Sequence, residues 1–371
     1  MKEKIKTNNL IKFLKISLFI LIFIFFNFLN TNVKAVNKNN LNFTEIQLNY
    51  KQYIENNTYT IKNLYNKNLS QPLNYPKKSV IIRYNKQKII LKNEANYTIG
   101  YIKEKESKYE INQDTLKIIK TKLNNEYLRK DNYKINFNSF SQSLEGVLFN
   151  KKILSNNNFS LSLTNKLLFG NQLIQRNYKG KAYKENNELI IEGFNDGINS
   201  DINHLSEEKN DNFNSYGYSF GFKTNYNLKK NFHLNFSAKN LLSKIYWNNI
   251  YTNVSEINTD NIIINEKGYK EYIASKKGNS YYANYITNLT PEYDFNINYQ
   301  NYEAGFFYKD NFYPYLNYNF HDFPIISIGI WKDLYSFKIK SKKINLLFKT
   351  NDFKISKITT ASFNFSLNFN F

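Results

Sequence analysis

Apolar and polar residues alternate along most of the chain after about residue 215. In the segment SYGYSFGFKTNY, the aromatic residues Tyr216, Tyr218, Phe220 and Phe222 take alternate positions, with Ser, Gly and Lys between them. Successive side chains of a β-strand point to opposite faces, so each such segment predicts a strand with one apolar and one polar face. Further segments follow at intervals close to the ~10 residues typical of consecutive tilted membrane strands. The pattern therefore predicts a meander of antiparallel hairpins.

The last ten residues, SFNFSLNFNF, carry this alternation to the end of the chain. One of the two rows is apolar throughout and consists of Phe363, Phe365, Leu367, Phe369 and Phe371. A row of this kind needs apolar surroundings along its whole length. It resembles the C-terminal strand of outer-membrane barrels, which the barrel assembly machinery recognises. We therefore interpret these five residues as an assembly strand that faces lipid.

The first 35 residues have a different pattern. Five Lys residues lie within positions 1–15, an apolar run covers 16–29, and the small residues Val33 and Ala35 follow. This order predicts a secretory signal peptide at 1–35 that is cleaved near Ala35, and the apolar run is short for a membrane span. A retained signal anchor is the alternative. After this segment, no apolar stretch has the length of a membrane helix, so a membrane-embedded chain has to cross as a β-barrel.

The amino-acid composition excludes several classes of catalytic and metal-binding site. The chain contains no Cys, which excludes disulfides, thiol nucleophiles, Cys-ligated zinc and an acylated N-terminal Cys. No phosphate-binding glycine loop or zinc signature is visible, and the acidic segment near 195–211 lacks the spacing of a calcium loop. We therefore expect no cofactor and no metal.

The chain is strongly basic, with a formal charge of +21; residues 1–35 carry six Lys and one Glu, so the mature part keeps +16. A positive surface attracts anionic solutes and lipopolysaccharide. The basic residues are scattered and form no dense tract, which argues against nucleic-acid binding. The expected partners are outer-membrane lipid or lipopolysaccharide, the barrel assembly machinery and an unidentified small solute. The oligomeric state stays open.

The N-terminal third is less regular. Residues 36–78 show no clear period, and 79–93 has the pattern of a hairpin. Residues 114–128 predict a short helix, because Leu116, Ile119 and Leu123 recur at helical spacing behind a possible cap at Asp114. Polar stretches predict long loops near 195–214 and 257–270.

One stretch resembles a known family. The short helix, then FSLSLTNKLLFGNQ, then a strand pair ending in Lys-Asn-Leu and Ile-x-Trp, resembles the fatty-acid-transporter-like outer-membrane barrels, particularly the TraF-like members. The motif residues here are Lys239, Asn240, Leu241, Ile245 and Trp247, and the similarity spans roughly residues 112–250. The resemblance implies a barrel of about 14 strands, in which some members pass hydrophobic molecules while others have no settled role.

The polar row of one strand contains His233, Asn235 and Ser237. A Ser-His-Asn set drives acyl hydrolysis in an outer-membrane phospholipase, so a membrane-embedded hydrolase is one alternative. Residues two apart on a strand stand ~7 Å apart, however, which is too far for a nucleophile-to-base hydrogen bond. A polar row is also what a lumen wall shows. We therefore expect these residues, with Lys223 and Lys239, to face the lumen, and we expect no enzyme activity.

The sequence thus predicts an all-β fold, a transmembrane antiparallel β-barrel of about 14 strands (range about 12 to 16) with a short helix in the N-terminal third. Residues 36–371 form this barrel, in a bacterial outer membrane. The predicted function is a passive pore or transporter for small solutes. The alternatives are a barrel that anchors surface loops for adhesion or assembly, and an autotransporter-like secretor.

Overall fold

The computed structural model describes residues 43–370, apart from 67, 94–96, 125–131, 186–187, 201–213, 230, 265–269 and 321–323. The predicted signal segment and Phe371 lie outside the described residues, so the expectations about them stay predictions.

The described residues form sixteen strands, two α-helices and one 3-10 turn. The strands are β1 (Phe43–Asn56), β2 (Lys78–Asn93), β3 (Tyr97–Asn112), β4 (Asn132–Ser155), β5 (Phe159–Glu185), β6 (Glu188–Asn199), β7 (Asn214–Lys229), β8 (Phe232–Ile264), β9 (Lys270–Thr287), β10 (Glu292–Tyr299), β11 (Tyr302–Lys309), β12 (Asn311–Asn319), β13 (Ile325–Trp331), β14 (Leu334–Lys340), β15 (Ile344–Thr350) and β16 (Ala361–Asn370). The helices are α1 (Ile61–Tyr65) and α2 (Gln113–Leu123), and the 3-10 turn is Ile355–Lys357.

Fourteen of the strands close into one antiparallel ring, and β6 and β9 lie outside it. The closing pair is β1 with β16, which run antiparallel from Glu45 opposite Asn370 to Ile54 opposite Ala361. On the other side, β5 pairs with β7, β7 with β8, and β8 with β10. The predicted antiparallel barrel of about 14 strands with a short helix is confirmed. We call the end where β1 begins and β16 ends the terminal end.

The outer wall of the ring is apolar and the inner wall is polar. Many of the large apolar side chains on the outer positions of the ring strands are exposed, which a water-surrounded barrel would not favour. These exposed residues include Leu48, Ile89, Ile99, Val147, Tyr218, Leu242, Leu316, Ile328, Ile330, Phe337, Ile344, Phe348, Phe363 and Phe369. On the alternate positions, buried polar residues such as Ser219, Ser327 and Ser366 face inwards. This inside-out distribution is typical of a membrane barrel, whereas a sandwich buries its apolar rows.

Aromatic side chains form two belts on the outer wall. At the terminal end, Phe232 contacts Tyr299 with ring centroids 6.0 Å apart, and Tyr302 contacts Tyr318 at 5.2 Å. Near the opposite end, Tyr293 contacts Tyr308 at 6.0 Å. Tyr302 and Tyr308 are six residues apart on β11, which corresponds to roughly 20 Å along the strand. Paired aromatic belts mark the two interfaces of a membrane barrel.

The barrel is much taller on one side. β5 has 27 residues and β8 has 33, whereas β13 has 7. Beyond the ring, β6 lies between the ends of β5 and β8, and β9 pairs with the outer part of β8. In this sheet Tyr183 donates a 2.6 Å hydrogen bond to Glu192 and Lys181 lies 2.9 Å away. The Tyr183 hydrogen bond, followed by Lys181, lowers the pKa of Glu192.

This tall sheet corrects the described parts of both predicted loops. Residues 195–199 belong to β6, and 257–264 belong to β8. Their sequences lack an apolar row because this part of the sheet rises above the aromatic belts, where neither face needs to meet lipid. The polar composition therefore resembled that of a loop. Most of 200–214 and the whole of 265–269 lie outside the described residues.

Two N-terminal predictions were also wrong. Residues 43–56, within the stretch considered irregular, form β1, and 79–93 form the single strand β2 and not a hairpin. The polar centre of β2 resembled a turn, but it contains the inward-facing residues Tyr84 and Lys86, both buried inside the barrel. Because β1, β2 and β3 are ring strands, residues 43–112 are no exported passenger. The autotransporter-like alternative loses its basis.

The helix prediction holds, with different limits: α2 covers Gln113–Leu123, and Asn112 caps it by accepting a 3.2 Å hydrogen bond from the Thr115 amide. Leu116 of α2 packs with Tyr59 and Leu64 of the β1–β2 connection against Ile54 and Ile81. Ile54 and Ile81 take outer positions in their strands, so α1 and α2 cover the outer wall and leave the lumen free. No helix in the described ranges has the length and apolar character to cross a bilayer.

A closed barrel predicts heat-modifiable migration. Its hydrogen-bonded ring resists detergent at room temperature and opens on boiling, because no free edge offers a starting point for unfolding. We expect unheated and boiled samples of the membrane fraction to migrate differently on a detergent gel. Recovery of the chain as a soluble periplasmic species with a single mobility would contradict the membrane barrel.

Candidate functional site

A basic cavity occupies the lumen of the barrel towards the terminal end. Its volume is about 720 Å³. It extends to that end, because Lys92, Asn298 and Lys340 in its wall lie close to the turns there. Seven lysines line it, against Asp294 and Glu303 as the acidic residues. The lysines are Lys88, Lys92, Lys166, Lys223, Lys239, Lys338 and Lys340.

The residues expected to face the lumen fall into two groups. Lys223, Asn235, Ser237 and Lys239 line the cavity. His233 lies nearer the terminal end, where its Nδ1 atom is 2.7 Å from Asn227 Oδ1. Asn235 donates a 2.7 Å hydrogen bond to Asn296 on β10. The hydrogen bonds of His233 and Asn235 therefore go to other strands and not to Ser237, so this row shows no assembled Ser-His pair.

A β-bulge brings two neighbouring residues into the lumen. The register of β8 against β7 shifts between Phe220 and Phe222, and Asn240 has a φ of 56°. Asn is one of the residues that tolerates this left-handed conformation. Asn240 accepts hydrogen bonds from Lys166 at 2.9 Å and Ser219 at 3.0 Å, and donates to the Thr290 carbonyl at 3.1 Å. The Lys-Asn pair of the family-like motif is thus a structural element of the lumen wall.

A layer of ion pairs closes the lumen beyond the cavity. Glu104 on β3 contacts Lys86 at 2.5 Å and Lys166 at 3.0 Å. Lys309 on β11 lies 3.6 Å from Glu106 and 3.4 Å from Glu292. β3 and β11 are six places apart in the ring of 14 strands, so the Lys309–Glu106 pair reaches across the barrel. An open channel has no such contact between opposite walls.

Further contacts cross the lumen at the same layer. The Tyr53 hydroxyl on β1 lies 3.1 Å from the Tyr313 hydroxyl on β12, which donates a 2.7 Å hydrogen bond to Glu55. The Lys51 ammonium lies 5.0 Å from the Phe307 ring centre on β11. Both sets join strands that are far apart in the ring. They close the side of the lumen that Lys309 and Glu106 leave open.

An apolar cluster fills the remaining part of this cross-section, on the tall side. It contains Trp247, which is fully buried with Ile102, Leu168 and Ile245. The Trp247 indole donates a 2.9 Å hydrogen bond to Thr287. Gly170 is required beneath this ring, because a Cβ atom there would lie 2.2 Å from it. In the part of the chain that the structure describes, the lumen is therefore a cavity open at the terminal end and closed by side chains at the other.

The acidic half of this layer has a signal in the sequence. In KEKES, lysines and glutamates alternate from Lys103 to Glu106, which predicts a strand with basic residues on one face and acidic residues on the other. In the structure Glu104 is buried in the lumen, while Lys103 and Lys105 are exposed. The sequence does not show that Glu106 pairs with Lys309, because strand stagger decides which residues meet across a barrel.

No protein-family model and no curated protein matches the chain. Among solved structures, similarity is found to a mutant of the monoaromatic hydrocarbon channel TodX, with 7% identity, 90% of this chain and 91% of that chain covered, and a TM-score of 0.43. The P. putida toluene transporter TodX shows 7% identity, with 90% and 91% covered and a TM-score of 0.41. A Pseudomonas aeruginosa FadL homologue shows 10% identity, with 88% and 89% covered and a TM-score of 0.19.

Proposed function

We propose that this chain is an outer-membrane barrel that passes small anionic solutes through a gated lumen. The observation that carries the proposal is the cavity wall, with seven lysines against two acidic residues. Basic side chains in a narrow, poorly screened passage lower the energy of an anion and raise that of a cation. The exposed apolar wall and the two aromatic belts support the location in a membrane.

The orientation of the barrel in the membrane follows from the lengths of its turns and the positions of its first and last strands. Periplasmic turns of outer-membrane barrels are short, and the chain termini belong to that side when the strand number is even. The terminal end, with the mouth of the cavity, then faces the periplasm. The layer around Lys309 and Glu106 faces outwards and acts as the gate. A solute passes when the contacts of this layer separate.

Bilayer recordings test the anion preference. In a potassium chloride gradient, we expect the reversal potential of the purified protein to lie towards the chloride equilibrium potential, and the bias to shrink as added salt shortens the Debye length. Lys223→Gln and Lys239→Gln should each reduce it, because both side chains line the cavity. Lys181→Gln is the control, because Lys181 lies in the tall sheet beyond the ring.

Two outcomes would contradict the proposal. A cation-selective current would show that the lumen lysines do not govern permeation. A protein that inserts but passes no current, even with the gate contact of Lys309 removed, would favour the barrel as a surface anchor. Both outcomes would leave the barrel itself intact.

A further inference from the structure

Among the described residues, the lysines of the cavity outnumber the carboxylates that pair with them. Three of its seven lysines have an acidic partner: Lys92 contacts Glu45 at 2.7 Å, Lys166 contacts Glu104, and Lys338 contacts Glu303 at 3.2 Å. Among the described residues, no carboxylate lies within ion-pair distance of the other four. These unpaired lysines are Lys88, Lys223, Lys239 and Lys340.

The nearby acidic residues do not remove this excess. Asp294 lines the cavity and makes no ion pair among the described residues, and its Oδ1 atom has no hydrogen-bond partner. Even if Asp294 compensates one lysine, three positive charges are left in an enclosed space. Charged groups withdrawn from water are normally paired, because the cost of desolvating an isolated charge is high.

Two of the four unpaired lysines lie at the inner end of the cavity. Lys88 on β2 and Lys239 on β8 both line the main cavity and an adjoining one of about 290 Å³. Lys88 is also within electrostatic reach of Lys86, Lys166 and Lys239, with Glu104 as the opposing charge. The gate layer closes the lumen just beyond this point. A solute that enters from the terminal end therefore meets its most positive surroundings where the passage ends.

The remainder of the wall offers neutral hydrogen-bonding groups. Thr164, Asn150 and Gln47 line the cavity with Asn235 and Asn296, beside a smaller apolar part of the wall that includes Ile90 and Leu148. Lysine binds phosphate and carboxylate groups as a flexible point charge, without the fixed two-pronged geometry of arginine. Such a wall suits a compact, multiply charged and hydrated solute better than a hydrocarbon.

From this we infer that the inner end of the lumen is a binding site for a small multivalent oxyanion, held between Lys88 and Lys239 with Lys223 and Lys340 nearer the mouth. This inference rests on the proposed transport of anions and names its substrate class. The bound anion supplies the negative charge that the wall lacks. Monovalent chloride compensates only one of the excess charges, so valence is the basis of selection.

Isothermal titration of the folded full-length protein in detergent tests the site. The probes are inorganic pyrophosphate and citrate, at a constant chloride background, and they distinguish a phosphate source from a carboxylate source of the same charge chemistry. We expect saturable binding of one or both. Lys88→Gln and Lys239→Gln should each weaken it about tenfold, the loss expected for one charge-assisted contact. Lys181→Gln should leave it unchanged.

Heat-modifiable migration shows which variants fold, and where Lys88→Gln does not fold, Lys239→Gln provides the test. Absence of saturable heat with both anions would overturn the inference, as would equal binding by the wild type and by both folded lumen variants. Failure of the inference and failure of the proposed function are separable. An anion-selective current without saturable binding leaves transport standing and removes the site. Saturable binding without current in any variant leaves the site standing and removes transport.

Discussion

Phe365→Asp is expected to prevent most of the protein from assembling into the membrane. Phe365 lies on the outer row of β16, opposite Tyr50 of β1 and Leu346 of β15. The substitution removes a large apolar side chain from the lipid face and places a carboxylate there. Together these changes cost on the order of 3 kcal/mol, which is a large part of the stability of a barrel. The effect should be strong because the β1–β16 pair closes the ring.

The neighbouring residue provides a matched control. Asn364 points to the lumen, opposite Lys51 of β1, and its Oδ1 atom has no hydrogen-bond partner among the described residues. Asn364→Asp adds the same charge one position away, but into basic surroundings. We expect it to assemble like the wild type. The measurement is the heat-modifiable fraction in membranes, together with urea unfolding from lipid vesicles. Equal assembly of the two variants would show that the outer row does not face lipid.

The closed ring could be predicted from the sequence because lipid imposes a strict alternation on its strands. In β16, β10 and β11, every second residue has to be apolar along the full width of the bilayer. The sequence therefore predicts both that a strand is present and which face each of its residues takes. The strands β1 and β2 were harder. β1 has an apolar row in Ile46, Leu48 and Tyr50, but the polar residues around it obscure the alternation.

The gate could not be predicted from the sequence. Lys309 and Glu106 are separated by 203 positions and meet only because the strand number and stagger place β3 and β11 on opposite walls. The bulge at Asn240 was equally hidden, because the register shift adds two residues to β8, which leaves the alternation of apolar and polar positions in phase on both sides. Periodicity identifies which face a residue takes, but not which residue it meets across the lumen.

The ion pairs of the proposed gate are of a kind that can separate. A buried pair is expensive to desolvate and contributes little net stability, but breaking it by removing one partner is strongly destabilising. In a lumen that water can enter, separation of Lys309 from Glu106 and Glu292 exchanges each contact for hydration. The closed layer is therefore held by interactions whose loss water can offset, unlike the apolar cluster around Trp247. We expect opening to occur on the Lys309 side, and the Trp247 side to stay packed.

Lys309→Ala is expected to convert a mostly closed barrel into a conducting one. Without the ammonium group, Glu106 and Glu292 face each other unpaired in the closed layer, and the contact with the Tyr84 ring, 3.8 Å from the ammonium, is also lost. The loss of about 1.4 to 2.8 kcal/mol from the closed state raises the open-to-closed ratio by roughly tenfold to a hundredfold. Single-channel recording measures this ratio directly.

Lys338→Ala is the control, because Lys338 is also paired in the lumen, 3.2 Å from Glu303, but joins β14 to β11 without reaching the opposite wall. It should alter selectivity slightly and leave the open fraction near that of the wild type. If the two variants open equally often, or if Lys309→Ala stays as closed as the wild type while its heat-modifiable band is retained, then the Lys309 contact is not the gate and closure rests on the apolar cluster.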